Sequence, residues 1–406
     1  MRNKKLFKIS GTGCALVDYL YKPIDFSADD FIRYHSKKPG DGGLAPGKLV
    51  FKEEFEKFSG EDYSQARDRI TRKKQPVACN IGGPSIVSLI HAAQLLKGFP
   101  AEVNFYGCMG SDPGSDFLKN KLEHTPLKIG KYKTGNQFTP FTDVLCDPGF
   151  DHGNGERVFI NNIGSAWDFF PSDFDDSFFE SNLVAFGGTA LVPHIHSALG
   201  ELLFKAKKNG AVTVVNTVYD FLNEKQDPSK PWPLGNSVET YSFIDLLITD
   251  MEEALRLSGT TSAEAALNFF RSTGVGAAII THGANVLHFF ANSSLFGQIP
   301  PAMLPVSDKV RSELRQNPEQ AGDTTGCGDN FAGGVIASVA MQLIENPGIP
   351  VNLKTAIALG VASGGFTCFY HGGTYYEEWP GQKMTLIEPY FDAYLAQIGS
   401  QNSPEK

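Results

Sequence analysis

Several features are scarce or missing in this chain of 406 residues, and each absence removes a class of function. No run of five consecutive Lys or Arg occurs, and the formal net charge is −9. Nucleic acids and anionic membranes select basic surfaces, so neither is expected as a main partner. No stretch of about 20 uninterrupted apolar residues is present, which argues against a transmembrane helix. The N-terminal segment MRNKKLFKIS is basic, but no apolar run with a small-residue cleavage site follows it, so no secretory leader is expected. The six cysteines, Cys14, Cys79, Cys108, Cys146, Cys327 and Cys368, are scattered with no C-x-x-C pair. That pattern suits a reducing, cytoplasmic setting with unpaired thiols, where the Asn292-Ser293-Ser294 glycosylation match carries no weight. His194 and His196 stand two apart without a nearby third ligand, short of the three protein ligands of a catalytic zinc site.

Two nucleotide motifs also fail on inspection. Gly42-Gly43-Leu44-Ala45-Pro46-Gly47-Lys48 nearly spells a P-loop, but Leu49 replaces the metal-binding hydroxyl and Pro46 removes a backbone donor. Gly11-Thr12-Gly13 lacks the third glycine of a dinucleotide fingerprint, because position 16 is Leu16.

What is present is ordinary soluble composition, 41% hydrophobic and 20% charged, without an internal repeat or low-complexity linker. Strand-like runs at Leu183–Phe186, Val212–Val215, Leu246–Ile248 and Gly276–Thr281 alternate with helical patterns at 196–208, 250–258 and 262–271. Such alternation predicts a mostly parallel sheet with helices on both faces, in which ligands bind beyond the carboxyl ends of the strands. Asp18, after a buried strand read over Phe7–Val17, shares that rim with Asn216, Asp250, Thr281 and Gly283. Residues 22–75 are poorly periodic, while 221–240 and 300–320 read as polar surface excursions.

The most informative stretch is 321–334, AGDTTGCGDNFAGG, which runs into an apolar helical segment from Phe331 to Ile344. A glycine turn entering a helix leaves the first N–H groups unpaired and converging, with the positive end of the helix dipole behind them. That is an anion site, and the amides of Gly326, Cys327 and Gly328 are the candidate donors for phosphoryl oxygens. Asp329 lies at the mouth of the same turn, where a carboxylate can take a proton from an attacking hydroxyl. As a capping carboxylate alone it would explain neither the flanking glycines nor Thr324-Thr325. The helix N-terminus is expected to lower the Asp329 pKa. Cys327 reads as a small filler whose amide matters, with a thiol open to oxidation.

Asp323-Thr324-Thr325-Gly326-Cys327-Gly328-Asp329 resembles the C-terminal signature of the PfkB (ribokinase-like) carbohydrate and nucleoside kinases, with Cys327 at the usual alanine. Gly11–Asp18, Gly82-Gly83, Gly107–Gly114, Asn154–Arg157, Gly164–Ala166 and Thr281-His282-Gly283 are similar to further family segments in the family's order. The resemblance implies a ribokinase-like three-layer α/β/α fold with a mostly parallel central sheet and a small β lid. It implies a core of 1–21, 76–137 and 163–397, a lid of 22–75 with 138–162 that could also carry a homodimer contact, and a tail at 398–406. ATP and Mg2+ are the implied cofactors. Asp18, Gly82 and Gly83 would meet the substrate; Asn216, Thr281, Gly283, Thr325 and Gly373 the nucleotide. Asp250 and Glu253 would order hydrated Mg2+, and Asp323 with Thr325 a monovalent cation such as K+.

The chain departs from the family at Val87, where an asparagine usually helps hold the sugar, and at Asp250, where the metal motif usually has asparagine. The leading reading is phosphoryl transfer to a hydroxymethyl group of a sugar. A nucleoside kinase is the nearer rival, because 38–57 looks more like the adenosine-kinase branch, with Phe51, Phe138 and Phe141 as candidate base-stacking rings. A metabolite-binding member without catalysis is the rival of another class, disfavoured by the intact Asp329 and its glycines.

Overall fold

Short runs rich in Val, Ile, Leu and Phe, bounded by glycine or polar turns, become the strands of two sheets. The computed structural model describes residues 6–38, 40–153, 155–322 and 324–400. Asp323 and Asn154 lie outside the described residues. In chain order the strands are β1 (Phe7–Gly13), β2 (Leu16–Tyr21), β3 (Leu49–Phe51), β4 (Ala78–Gly82), β5 (Ala101–Met109), β6 (Lys128–Thr134) and β7 (Phe141–Asp147). They continue as β8 (Glu156–Asn162), β9 (Leu183–Gly187), β10 (Val212–Asn216), β11 (Leu246–Asp250), β12 (Ala277–Thr281), β13 (Leu287–Ser293) and β14 (Gly297–Leu304).

The main sheet has the order β14-β13-β12-β11-β10-β9-β1-β5-β6 and is parallel from β12 through β6. Its antiparallel end is β13–β14, where the expected surface excursion at 300–320 instead contributes an edge strand. Pro300 and Pro301 hide that strand from sequence patterning, and an edge is where a sheet tolerates proline. Side-chain alternation divides the core between the two faces. Leu246, Ile248, Ala277 and Ile279 face one cluster, while Leu247, Ala278 and Ile280 face the other. The first face is covered by α1 (Pro84–Leu95), α3 (Cys327–Glu345), α4 (Leu353–Thr367) and α5 (Gln382–Ser400). The second carries α2 (Met251–Ser258) and the helices Leu199–Lys208 and Ala263–Ser272.

The second sheet is mixed, in the order β3-β8-β7-β2-β4. The single strand expected over Phe7–Val17 is two strands in different sheets, broken at Cys14-Ala15. Gly13 makes the break possible: at φ 133 its backbone lies so near Gly187 that a Cβ would fall 1.7 Å from the Gly187 carbonyl oxygen. Residues 16–21 and 78–82, expected in the core, therefore belong to this second sheet. Residues 24–70 are no loose insertion. Tyr21, Phe31, Tyr34, Phe55, Tyr63, Leu145, Val158 and Ile160 form a separate apolar core on the outer face of this sheet.

Candidate active site

The glycine turn builds its site as the residue types require. Gly326 sits in the left-handed region (φ 77, ψ 7) immediately before α3. A Cβ there would lie 2.4 Å from the Gly373 Cα, so both conformation and close packing demand glycine. Of the first-turn amides, Cys327 N–H donates to the Thr324 carbonyl at 3.3 Å and Asn330 N–H to the Gly326 carbonyl at 2.9 Å. The N–H groups of Gly328 and Asp329 have no acceptor among the described residues. Gly328 is exposed, and a Cβ there would meet nothing within 4 Å.

Asp329 corrects one expectation. Desolvation raises its pKa to about 6, opposite to the lowering expected from the helix end. The physical reason is burial among neighbouring protein atoms, where lost hydration outweighs the dipole of one helix turn. Across the cleft, Asp18 on β2 is pushed up to about 7, first by burial and then by the negative charge of Asp329, against a hydrogen bond from Thr142 that lowers it. Two acids, one on β2 and one in the first turn of α3, thus lie near enough for their charges to interact.

Strand register extends the Asp18 position into a polar row. Asp18 pairs with Asn80 on β4 and with Thr142 on β7, and Thr142 pairs with Asn161 on β8. Directly paired residues point to the same face of a sheet, opposite the apolar core of 24–70. The Asn161 amide donates to the Thr142 hydroxyl at 2.9 Å. Gly82 has no side chain because a Cβ would strike the Asp18 carboxylate at 2.2 Å. Gly83, at φ 102, allows the Cys14 carbonyl to accept from the Ser85 and Ile86 amides at the start of α1.

Thr281, Gly283, Thr324, Cys327, Gly328, Phe331 and Cys368 line an open cavity of about 390 Å³, within the usual range for a small-molecule site. Asn216, Thr325 and Gly373 lie outside its lining. Asn216 is buried at the end of β10, and Gly373 is pressed between Gly326 and Val87. Asp250 and Glu253 form a capping box on α2, the Asp250 carboxylate accepting from the Glu253 amide at 2.8 Å. Burial and the Asp250 charge raise the Glu253 pKa to about 7. Neither acid has an ion-pair partner among the described residues, so the pair fits a cation chemically. No group of three or more His, Cys, Asp or Glu able to hold a metal occurs among the described residues.

Several residues escaped sequence reasoning. Asn330, next to Asp329, donates through its amide to the carbonyls of Gly326 (2.9 Å) and Gly373 (2.7 Å), locking the turn to the strap at 371–373. Its Oδ1 accepts from Nζ of Lys383, a buried lysine on α5 whose pKa desolvation lowers to about 7. Val87 is buried beneath Gly373, while Asn80 lies beside Gly372 with its amide in the cleft row. Asn80 could have been suspected only with the β2–β4 register in hand. Of the three candidate rings, Phe51 is buried edge-on against Phe221 and Phe141 stacks on Tyr63, leaving Phe138 exposed.

The signature of the pfkB family carbohydrate kinases matches residues 57–380, well over half the chain. The chain belongs to this family. The protein is accordingly an ATP-dependent kinase of the carbohydrate and nucleoside class. It is 26% identical over 286 residues to the adenosine kinase of Schizosaccharomyces pombe, covering 66% of this chain and 76% of that one. Adenosine kinase from Schistosoma mansoni in complex with 2-fluoroadenosine superposes at TM-score 0.66 with 18% identity, over 91% of this chain and 97% of that one. A putative ribokinase II from E. coli in complex with ATP and Mg2+ gives TM-score 0.61 with 17% identity, over 95% and 99%. These structures share the ribokinase-like α/β fold of this pfkB kinase. No helix among the described residues is long and apolar enough to cross a membrane.

Proposed function

We propose that the protein transfers the γ-phosphoryl group of ATP to the hydroxymethyl oxygen of a ribonucleoside. One observation carries the reading: Asp329, beside open helix amides, and Asp18, on the lid sheet, interact across a single cleft. Asp329 is the general base, accepting the acceptor's proton as the new P–O bond forms. Amides of the Gly326–Gly328 turn, foremost Gly328, bind the phosphoryl oxygens. The row Asn80–Asp18–Thr142–Asn161 supplies acceptors and donors for vicinal sugar hydroxyls. Thr281 and Gly283 line the space for the rest of the nucleotide. Asp250 and Glu253 would hold Mg2+ through water, and the ion would screen phosphate charge when bound. The resemblance also assigns Thr325, with Asp323, to a monovalent cation.

The adenosine kinase relative and the exposed ring of Phe138 favour a nucleoside over a free sugar. The polar row alone would serve a sugar as well, which keeps a sugar kinase as the second reading. ADP release from Mg·ATP, measured against panels of nucleosides and of free sugars with and without K+, separates them. Turnover confined to free sugars would overturn the nucleoside assignment, and none with any acceptor would overturn the kinase mechanism at this site.

A further inference from the structure

Cys327 and Cys368 come from segments 41 residues apart, yet their sulfurs lie 3.6 Å from each other. Both side chains line the nucleotide cavity, and both are partly exposed to it. Gly364, one turn before Cys368, lets α4 approach α3 so closely that a Cβ would stand 2.8 Å from the Cys327 carbonyl oxygen. Cys368 directly follows the last residue of α4, where the chain leaves for the 371–373 strap. No other pair of thiols is in contact among the described residues, and Cys14, Cys108 and Cys146 are buried.

We propose that Cys327 and Cys368 form a reversible disulfide site at the nucleotide cavity, closed by peroxides and reopened by dithiols. The chemistry balances without any further component. One thiolate attacks a peroxide oxygen, the O–O bond breaks, and water or an alcohol leaves, giving a sulfenic acid. The second sulfur attacks the first, the S–O bond breaks, water leaves, and the S–S bond forms. Two thiols and one peroxide thus become one disulfide, one water and one water or alcohol. A dithiol reverses this by two exchange steps and is itself oxidised.

Closing the bond brings the sulfurs from 3.6 Å to about 2.05 Å. One of the two sulfurs that must move belongs to the first residue of α3, whose next two residues are Gly328 and Asp329. Misplacing reacting groups by about 1 Å costs on the order of 10²-fold in rate. The consequence for turnover rests on the phosphate-site reading above; the bond itself does not.

The test treats the full, pre-reduced protein with hydrogen peroxide, maps linked peptides by mass spectrometry, and measures ADP formation before oxidation, after it, and after dithiothreitol. A Cys327–Cys368 linked peptide, a loss of about 10²-fold in turnover reversed by dithiothreitol, and slower linkage under saturating Mg·ATP are expected. For Cys368→Ala and Cys327→Ala, the ratio of oxidised to reduced activity should be near one, whatever the starting activity. Absence of the linked peptide, or its formation with an unchanged ratio, overturns the proposal. Inactivity of the reduced protein toward every acceptor would instead fault the kinase reading, while the peptide map still decides the disulfide.

Discussion

Asp329 is held between two demands. The proposed role as general base needs the carboxylate ionised, and burial penalises that form, raising the pKa to about 6. Below pH 6 the base is protonated, so kcat/KM should fall as pH drops through that value, by about tenfold per unit. Asp329→Asn should lower kcat by about 10²–10⁴ while ATP binding, read by calorimetry, stays near wild type. The sign for stability is opposite. A carboxylate whose folded pKa is raised costs stability once pH exceeds its unfolded value, up to about 3 kcal/mol here and less for a group still partly hydrated. Asp329→Asn should therefore unfold at higher temperature than wild type at pH 8, with the difference vanishing toward pH 4. Gly328 gives a second residue-scale test. A Cβ there meets no heavy atom within 4 Å, so Gly328→Val should leave the thermal midpoint nearly unchanged while raising KM for ATP at least tenfold, as steady-state kinetics would report.

Between elements, the glycine turn before α3 is tied to a helix far away in sequence. Lys383 on α5 reaches Asn330 on α3, and Asn330 ties Gly326 to the strap after α4. Beside this network His91 on α1 is fully buried with neither ring nitrogen paired among the described residues, held neutral by burial and by the lysine. Lys383→Met removes a hydrogen bond worth about 1.5–3 kcal/mol but also a costly buried cation. Because burial lowers the Lys383 pKa to about 7, folding opposes its protonation, and wild-type stability declines as pH falls from about 10 to 7. Lys383→Met should thus keep or raise the thermal midpoint at pH 7 yet lose about tenfold in kcat. A matched loss of stability and activity would assign Lys383 to packing alone. The helices were readable from their periodicity and glycine punctuation, as in α1 after Gly82-Gly83 and α3 after Gly326. The contact between α5 and α3 was not, because no local pattern records which distant helix a buried lysine will meet.

At the scale of the whole molecule, the second sheet has two chemically different faces. Its inner face carries the polar row with Asp18, and its outer face is already sealed by residues 24–70 through Phe31, Tyr34, Phe55 and Tyr63. A second copy is therefore unnecessary to cover that face. Light scattering should give a monomer; a dimer would have to use another surface. Residues 321–334 announced an anion turn with an acid beside it, because glycine geometry and helix polarity are local properties that short sequence carries intact. The break of 7–17 into two sheets, the alignment of Asn80 and Asn161 with Asp18, the rise of the Asp329 pKa and the meeting of Cys327 with Cys368 could not be read that way. Each depends on strand register, lost hydration or the approach of segments tens to hundreds of residues apart, and those distances exist only once the chain has closed on itself.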